Sequence, residues 1–192
     1  MQTLIVIDAQ NEFSPRGQRP VSNHADALVA IHRRVDDARR EGRPIAWVRH
    51  HNRPDESPEA PAFVPSTWGA EFSPGLGPLP GRDAEAEFVK DVFGAFTGTN
   101  IGAWLAEQGS EDVLIVGFFA HMCVSTTARE ALMRGLRVAV DPEGTGGFPI
   151  RHALLGDQSA AEVQRTALLQ LSHLGVRIAP RGSEEPSGIP AR

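Results

Sequence analysis

The hydrophobic and polar positions along the chain alternate between short apolar runs and longer amphipathic stretches. Six apolar runs rich in β-branched residues predict strands: "TLIVID", "PIAWVRH", "AEFVK", "DVLIVG", "LRVAVD" and "VRIA". Between them lie amphipathic stretches such as "SAAEVQRTALLQLSHLG", where Ser159 and Glu162 have the spacing of a capping box. Strands that alternate with helices predict right-handed crossovers and a mostly parallel six-stranded sheet. The predicted fold is therefore α/β, a three-layer α/β/α sandwich.

The other helices and the irregular segments complete this division of the chain. Apolar residues recur at helical spacing after a possible cap at Asn23: Leu28, Ile31, Val35 and Ala38. "NIGAWLAEQG" and "VSTTAREALMRG" predict two shorter helices that end near glycines. Residues 52–82 are rich in Pro, Gly, Ser and Glu and predict a long surface loop. We expect one domain over residues 1–180 and a flexible tail over residues 181–192.

Composition and charge limit the kinds of molecule that the protein is expected to bind. The chain has 192 residues, of which 41% are hydrophobic, enough for one globular domain with a sizeable core. A net charge of -5 without a basic cluster argues against nucleic acid and anionic membranes, and no apolar run reaches the roughly 18 residues of a membrane span. Asp8 and Asn11 interrupt the first apolar run too early for a signal peptide. We therefore expect a cytoplasmic protein that acts on a small molecule.

Three reactive side chains lie at the ends of predicted strands. Asp8 ends the first strand, Lys90 ends the third, and Cys123, the only cysteine, follows the fourth at the predicted start of a helix. In parallel sheets, ligands bind at the carboxyl ends of the strands, so these side chains are expected to share one site. A thiol at a helix N-terminus also lies near the positive end of the helix dipole, which favours a thiolate.

Three segments resemble the isochorismatase-like cysteine hydrolases, a family that includes nicotinamidases and other amide-cleaving enzymes. The segments are "LIVIDAQNEF", "FVKDVFGAFTGTNI" and "VGFFAHMCVSTTAREALMRG", and the resemblance extends over nearly the whole chain. It implies a catalytic triad of Asp8, Lys90 and Cys123 and an oxyanion hole formed by the backbone N–H groups of Phe119 and Cys123. It also implies a cis peptide bond between Phe118 and Phe119, and assembly into a homodimer or homotetramer.

The chain departs from two branches of this family. Members that hydrolyse the vinyl ether of isochorismate replace the cysteine, so the presence of Cys123 favours amide-type hydrolysis. Nicotinamidases add a metal held by an Asp and two spaced histidines, whereas this region has adjacent His50 and His51, followed by Asp55. Neighbouring residues of an extended chain point to opposite faces and do not easily share one ion. We expect no catalytic metal and no cofactor.

The chemistry of the implied triad follows from the pKa of a thiol. A free cysteine with a pKa of about 8.5 is only a few per cent ionised at neutral pH, so a cysteine nucleophile needs a neighbouring cation or base. Lys90 would supply the cation, and Asp8 would take the thiol proton and later give it to the leaving nitrogen. Attack on a carbonyl carbon would give a thioester, which water would then hydrolyse.

Several residues and functions stay open at this level. Phe13, Trp47 and Trp68 are candidates for an aromatic pocket, with core packing as an equal alternative, and His121 is a candidate for lining the pocket or bracing the loop. The triad residues could also be an inert core thiol, a strand-end cap and a surface lysine. Beside the amide hydrolase, the alternatives are a catalytically silent binding protein, a hydrolase of another small-molecule bond, and a papain-like enzyme that uses a histidine.

Overall fold

A six-stranded parallel sheet organises the molecule. The computed structural model describes residues 1–52, 61–180 and 182. Its elements in chain order are β1 (Gln2–Ile7), α1 (His24–Arg40), β2 (Ile45–His50), β3 (Glu85–Lys90), α2 (Ile101–Glu107), β4 (Asp112–Gly117), α3 (Ser125–Met133), β5 (Arg137–Thr145), β6 (Ile150–His152), β7 (Gly156–Gln158), α4 (Ala160–His173) and β8 (Arg177–Ile178). The large sheet has the order β3-β2-β1-β4-β5-β8, and every pair in it is parallel. The predicted α/β fold is confirmed.

Both faces of the sheet are covered by helices. In β1, Leu4 and Val6 belong to a cluster with α1, while Ile5 and Ile7 belong to a second cluster that includes α2, α3 and α4. Successive strand residues point to opposite faces, so the unbroken apolar run of β1 is buried on both sides. The result is the predicted three-layer arrangement. None of the helices in the described residues has the length and apolar character to cross a membrane.

The long segment after β2 packs against the sheet. Phe63 is buried in the cluster that contains α1, and residues 68–70 form a short 3-10 turn. Gln10 and Phe72 form an isolated antiparallel bridge, which ties the segment to the end of β1. Residues 53–60 of the predicted loop lie outside the described residues, as does the predicted tail 181–192 except for residue 182.

Three local features test the sequence patterns directly. The capping box of α4 is confirmed, since Ser159 and Glu162 each accept from the other's backbone N–H. Asn23 does precede α1, but it does not cap the helix because its side-chain amide donates to the Thr145 carbonyl at 3.0 Å. The antiparallel hairpin of β6 and β7 was not predicted, because its three-residue strands are fully on the surface and have no apolar alternation.

The chain turns sharply between β4 and α3. Gly117 has a φ of 119°, and a Cβ atom there would overlap the Ile7 carbonyl, so only glycine fits. The peptide bond between Phe118 and Phe119 is cis, as the family resemblance implied. Residues 120–124 then form a single turn of π-helix that continues into α3. Cys123 therefore lies inside this turn and not at the first residue of an α-helix.

Candidate active site

Asp8, Lys90 and Cys123 meet at the carboxyl edge of the sheet. The Lys90 ammonium donates to Oδ2 of Asp8 at 2.7 Å and to Sγ of Cys123 at 3.4 Å. Their exposed fractions are 0%, 2% and 6%, so the cluster is shielded from bulk water. Three separate strands supply the residues, because β1, β3 and β4 all end at this edge. The three side chains singled out in the sequence are thus brought into one cluster.

The Asp8 carboxylate has one oxygen that is not used by the lysine. Oδ1 has no hydrogen-bond partner among the described residues, although the side chain is fully buried. Buried carboxylate oxygens without a partner are uncommon in folded proteins. Asp8 has a φ of 50°, a left-handed conformation that aspartate tolerates better than most residues. This oxygen is available to accept a proton within the site.

A fourth side chain, His50, joins the cluster. Its Nδ1 lies 3.2 Å from the Lys90 ammonium, and the two residues pair directly in the register between β2 and β3. From the sequence alone, His50 is a candidate only for a metal ligand. The signal that could have found this contact is the strand pattern itself, since "WVRH" and "EFVK" end neighbouring strands with His50 and Lys90 in the same position.

Burial and charge determine the protonation states of the cluster. Burial raises the pKa of the Cys123 thiol, the Asp8 carboxylate raises it further, and Lys90 offsets only part of this increase. Burial by itself would lower the pKa of Lys90, but the interaction with the Asp8 carboxylate and the contact with Cys123 outweigh it and the pKa is raised. These directions favour a protonated thiol beside the Lys90–Asp8 ion pair. This differs from the resting thiolate that the helix-dipole argument favours.

A cavity of about 600 Å³ opens onto Asp8 and Cys123. Five aromatic side chains line it: Phe13, Phe63, Phe93, Phe119 and Phe148. The polar lining beyond the triad comes from four residues: Arg19, His50, Asn52 and Asp91. Small-molecule sites typically enclose about 300–1,000 Å³ with mostly apolar walls. The cavity can therefore bring a small, largely apolar molecule to the thiol.

The predicted pocket aromatics fall in three different places. Phe13 lines the cavity, and its ring centroid lies 4.7 Å from that of Phe119. Trp47 does not line the cavity, because it lies in the middle of β2 on the α1 face, fully buried, with Nε1 donating to Glu85 at 2.9 Å. Trp68 is not part of the cavity lining either and lies 44% exposed beneath the Arg16 guanidinium. Of the three, only Phe13 is positioned to contact a substrate.

His121 braces the turn behind the nucleophile. Its ring packs against Phe119 and Phe148, with centroid distances of 5.5 and 5.1 Å. Burial lowers the pKa of His121, so the ring is neutral at physiological pH. The cavity is not lined by His121, and the side chains that interact with the Cys123 thiol are Lys90 and Asp8. The geometry gives no support to a Cys–His dyad that includes His121.

The described residues near β2 do not fit a metal site. No group of three or more His, Cys, Asp or Glu side chains in the described part of the chain is placed to hold an ion. The two ring nitrogens of His50 face Lys90 and Asn52, so neither is directed to an open ligand position. Asp55 lies outside the described residues. The expectation that the protein needs no metal stays a prediction.

Comparisons with known proteins place the chain in a family. The family model described as "Isochorismatase domain" matches residues 2–179. The chain belongs to the isochorismatase family. It is an isochorismatase-family hydrolase, and thus an enzyme. A secreted isochorismatase effector of Verticillium dahliae is 32% identical over 170 residues, which is 88% of this chain and 82% of that protein.

Two further relatives of this isochorismatase-family hydrolase extend the comparison. The nicotinamidase/pyrazinamidase of Mycobacterium tuberculosis is 29% identical over 189 residues, which is 89% of this chain and 98% of that protein. The crystal structure of an isochorismatase from Pseudomonas putida matches with a TM-score of 0.84 and 31% identity, and it covers 93% of this chain and 87% of that one. The relatives therefore include proteins named for two different hydrolytic reactions.

Proposed function

We propose that this enzyme hydrolyses a small amide or related carbon–nitrogen bond, with Cys123 as the nucleophile. The observation that carries the proposal is the contact of the only cysteine with Lys90, which is itself paired with Asp8 beside an apolar cavity. The relative from Mycobacterium tuberculosis is named as an amidase of nicotinamide and pyrazinamide, which supports the same reaction class here. The mostly apolar walls, with their five phenylalanine rings, favour an uncharged or flat substrate.

The first step is activation of the thiol. Because burial raises the thiol pKa, the resting sulfur needs a base when the substrate is bound. Asp8 accepts the proton on Oδ1, the oxygen that has no other partner among the described residues. The Lys90 ammonium at 3.4 Å stabilises the thiolate that forms. The sulfur then attacks the substrate carbonyl carbon and forms the C–S bond.

The second step produces the thioester. The tetrahedral intermediate carries negative charge on oxygen, and we assign the backbone N–H groups of Phe119 and Cys123 as its donors. Both residues line the cavity, and the turn between them is held because Met122 and Val124 donate to the Phe119 carbonyl at 3.1 and 3.2 Å. Loss of one such donor typically costs about a hundredfold or more in rate. The C–N bond breaks as Asp8 returns its proton to the leaving nitrogen.

The third step regenerates the enzyme. Asp8, again a carboxylate, takes a proton from water, and the resulting hydroxide attacks the thioester carbonyl. The C–S bond breaks, the carboxylic acid leaves, and the thiolate recovers its proton from Asp8. The balanced reaction converts an amide and water into an acid and ammonia or an amine.

A second candidate is hydrolysis of another small-molecule bond. The relatives from Verticillium dahliae and Pseudomonas putida are both named isochorismatase, which favours testing the isochorismate-type reaction as well. A silent binding protein on the same fold would contain the same cavity without turnover. The presence of the complete Asp8, Lys90 and Cys123 cluster favours the amide reaction over both.

The test is a substrate screen with a matched inactive control. The purified enzyme is incubated with a panel of small primary amides, carbamoyl compounds and isochorismate, and ammonia or acid release is measured. We expect ammonia release from at least one amide in the wild type and none in Cys123→Ala. Activity on isochorismate alone would favour the isochorismate-type reaction. Binding of panel members without turnover would favour a silent binding protein.

We also propose a cellular location and an assembly state for the enzyme. We infer a cytoplasmic location, because a cysteine nucleophile must stay reduced and the cytosol keeps thiols in their reduced form. We infer a homodimer or homotetramer from the family resemblance. Light scattering on the purified enzyme measures the assembly, and a monomeric mass at micromolar concentration would contradict it.

A further inference from the structure

The Lys90 ammonium has three N–H donors and three acceptors around it. They are Oδ2 of Asp8 at 2.7 Å, Nδ1 of His50 at 3.2 Å and Sγ of Cys123 at 3.4 Å. An ammonium offers only three protons, so these contacts account for all of them. Because Lys90 is only 2% exposed, removal of one acceptor would leave a buried N–H without a partner. The reaction proposed above uses Asp8 and Cys123 but gives His50 no part.

Asn52 determines the tautomer of His50. The amide nitrogen of Asn52 donates to the Ala62 carbonyl at 2.6 Å, which fixes the orientation of the amide group. Its Oδ1 therefore faces Nε2 of His50 at 2.7 Å, and a carbonyl oxygen can only accept. The proton of the ring must then be on Nε2, and the lone pair on Nδ1 points to the Lys90 ammonium. His50 is a neutral acceptor in this network.

The position of His50 is fixed as firmly as its tautomer. The fully buried amide of Gln10 donates to the His50 carbonyl at 3.0 Å and accepts from the His50 N–H at 2.8 Å. The His50 ring also packs edge-on against Phe63, with centroids 5.3 Å apart. Its main chain, its ring and its tautomer are therefore each held by a different residue.

We propose that His50 is a positioning residue that holds the Lys90 ammonium between Asp8 and Cys123. Its neutrality matters, because the negative charge of Asp8 already makes the thiol harder to ionise. A carboxylate in place of His50 would add a second negative charge near the sulfur, whereas imidazole supplies an acceptor without one. The effect on turnover rests on the proposed function, but the hydrogen-bond network exists in the resting enzyme and can be measured without substrate.

The amino-acid composition is consistent with a requirement for an ammonium group, and not a guanidinium, at position 90. Lys90 is the only lysine in the sequence, so the other 18 of the 19 basic residues are arginine. A guanidinium is a flat fork suited to paired oxygens, whereas an ammonium is compact and can direct three protons to three separate acceptors. The site contains just such a set of three. The single lysine also gives one side-chain ammonium signal in a protein labelled with ¹⁵N at lysine Nζ.

The first experiment measures the network by NMR in the resting enzyme. We expect a resolved Lys90 ammonium signal with slowly exchanging protons, and ¹⁵N shifts of His50 that show the proton on Nε2. His50→Leu removes the acceptor and should speed ammonium exchange at least tenfold, while His50→Gln, which offers an amide oxygen, should retain most of the protection. A proton on Nδ1 in the wild type, or unchanged exchange in a folded His50→Leu variant, would overturn the proposal.

The second experiment measures the effect on the thiol and on turnover. Cys123 is the only thiol available to iodoacetamide. We expect His50→Leu to slow its alkylation severalfold at pH 8 and to lower kcat at least tenfold with little change in KM. His50→Gln should recover much of both. The matched control is His173→Leu, the same change at an exposed position at the end of α4. Alkylation and kcat of His50→Leu equal to those of the control would contradict the proposal.

The outcomes separate this proposal from the proposed function. If the ammonium and tautomer signals appear as expected but no amide is hydrolysed, the positioning network is supported and the amide reaction is refuted. If amides are hydrolysed through Cys123 but His50→Leu leaves ammonium exchange, alkylation and kcat unchanged, the reaction stands and the role of His50 fails. A thermal unfolding curve for each variant excludes loss of the fold as the cause.

Discussion

Replacement of Lys90 by methionine tests how strongly the cation controls the nucleophile. Methionine keeps most of the apolar length of lysine and removes the charge. The ammonium lies 3.4 Å from the sulfur, and at an effective dielectric constant of about 20 this separation corresponds to about 5 kcal/mol, or roughly 3.5 pKa units. The variant should therefore have a higher thiol pKa and less thiolate at any given pH.

The Asp8 carboxylate reduces the size of this effect. Without its ion-pair partner at 2.7 Å, Asp8 can shift away from the sulfur, which weakens its effect on the thiol pKa. We therefore expect a net increase of at least about one pKa unit and at most about 3.5. A thiolate of higher pKa is also more reactive, so each unit slows alkylation only about threefold and not tenfold.

The assay is the rate of iodoacetamide alkylation at pH 8, followed by intact mass. Since Cys123 is the only cysteine, one mass shift reports on one site. Lys90→Met should react between about threefold and about fiftyfold more slowly than the wild type. Arg16→Met, which removes an exposed cation above Trp68, should react at the wild-type rate.

Removal of the negative charge of Asp8 should change the alkylation rate in the opposite direction. Asp8→Asn removes the carboxylate that raises the thiol pKa, so it should accelerate alkylation while abolishing turnover. A structural disturbance would instead change the rate in the same direction in both variants. A folded Lys90→Met protein that is alkylated as fast as the wild type would refute the electrostatic account of the site.

Three further predictions address the nucleophile, the metal and the core. Cys123→Ala should fold with an unchanged Tm to within a few degrees and show no turnover, because alanine removes the attacking atom and little volume; residual turnover near the wild-type rate would end the mechanism. Activity should survive exhaustive chelation, and stoichiometric zinc whose removal abolishes activity would contradict the prediction of no metal. Trp47→Phe should lose about 1–3 kcal/mol of unfolding free energy in urea denaturation but keep its kcat, because Trp47 is a core residue bonded to Glu85; a lower kcat without a loss of stability would place it in the site after all.

The helices and the strands of the large sheet could be predicted because each has a strong local signal. The β-branched runs of the large sheet and the capping box of α4 need no tertiary information to be recognised. Asn23 shows the limit, since its amide bonds to Thr145, which is distant in sequence. The β6–β7 hairpin shows another, because short exposed strands carry no periodic apolar signal.

The candidate site was predictable in its residues but not in its contacts. Strand ends and motifs were enough to single out Asp8, Lys90 and Cys123. The role of His50 depends on the register between β2 and β3, and the side on which Trp47 lies depends on which face of β2 packs against α1. A shift of β2 by one residue would reverse both, and the matching strand ends of β2 and β3 suggest this register without fixing it. The protonated thiol likewise depends on the burial of the cluster.

The proposed role of Cys123 is tested most directly by the covalent intermediate. An amide that the enzyme hydrolyses is mixed with it, the reaction is stopped with acid at several times, and the peptides are mapped by mass spectrometry. The account predicts a substrate-derived acyl group on the peptide that contains Cys123, present during turnover and gone after the substrate is consumed. An acyl group on a different residue, or steady turnover with no acylated peptide at any time, would contradict it.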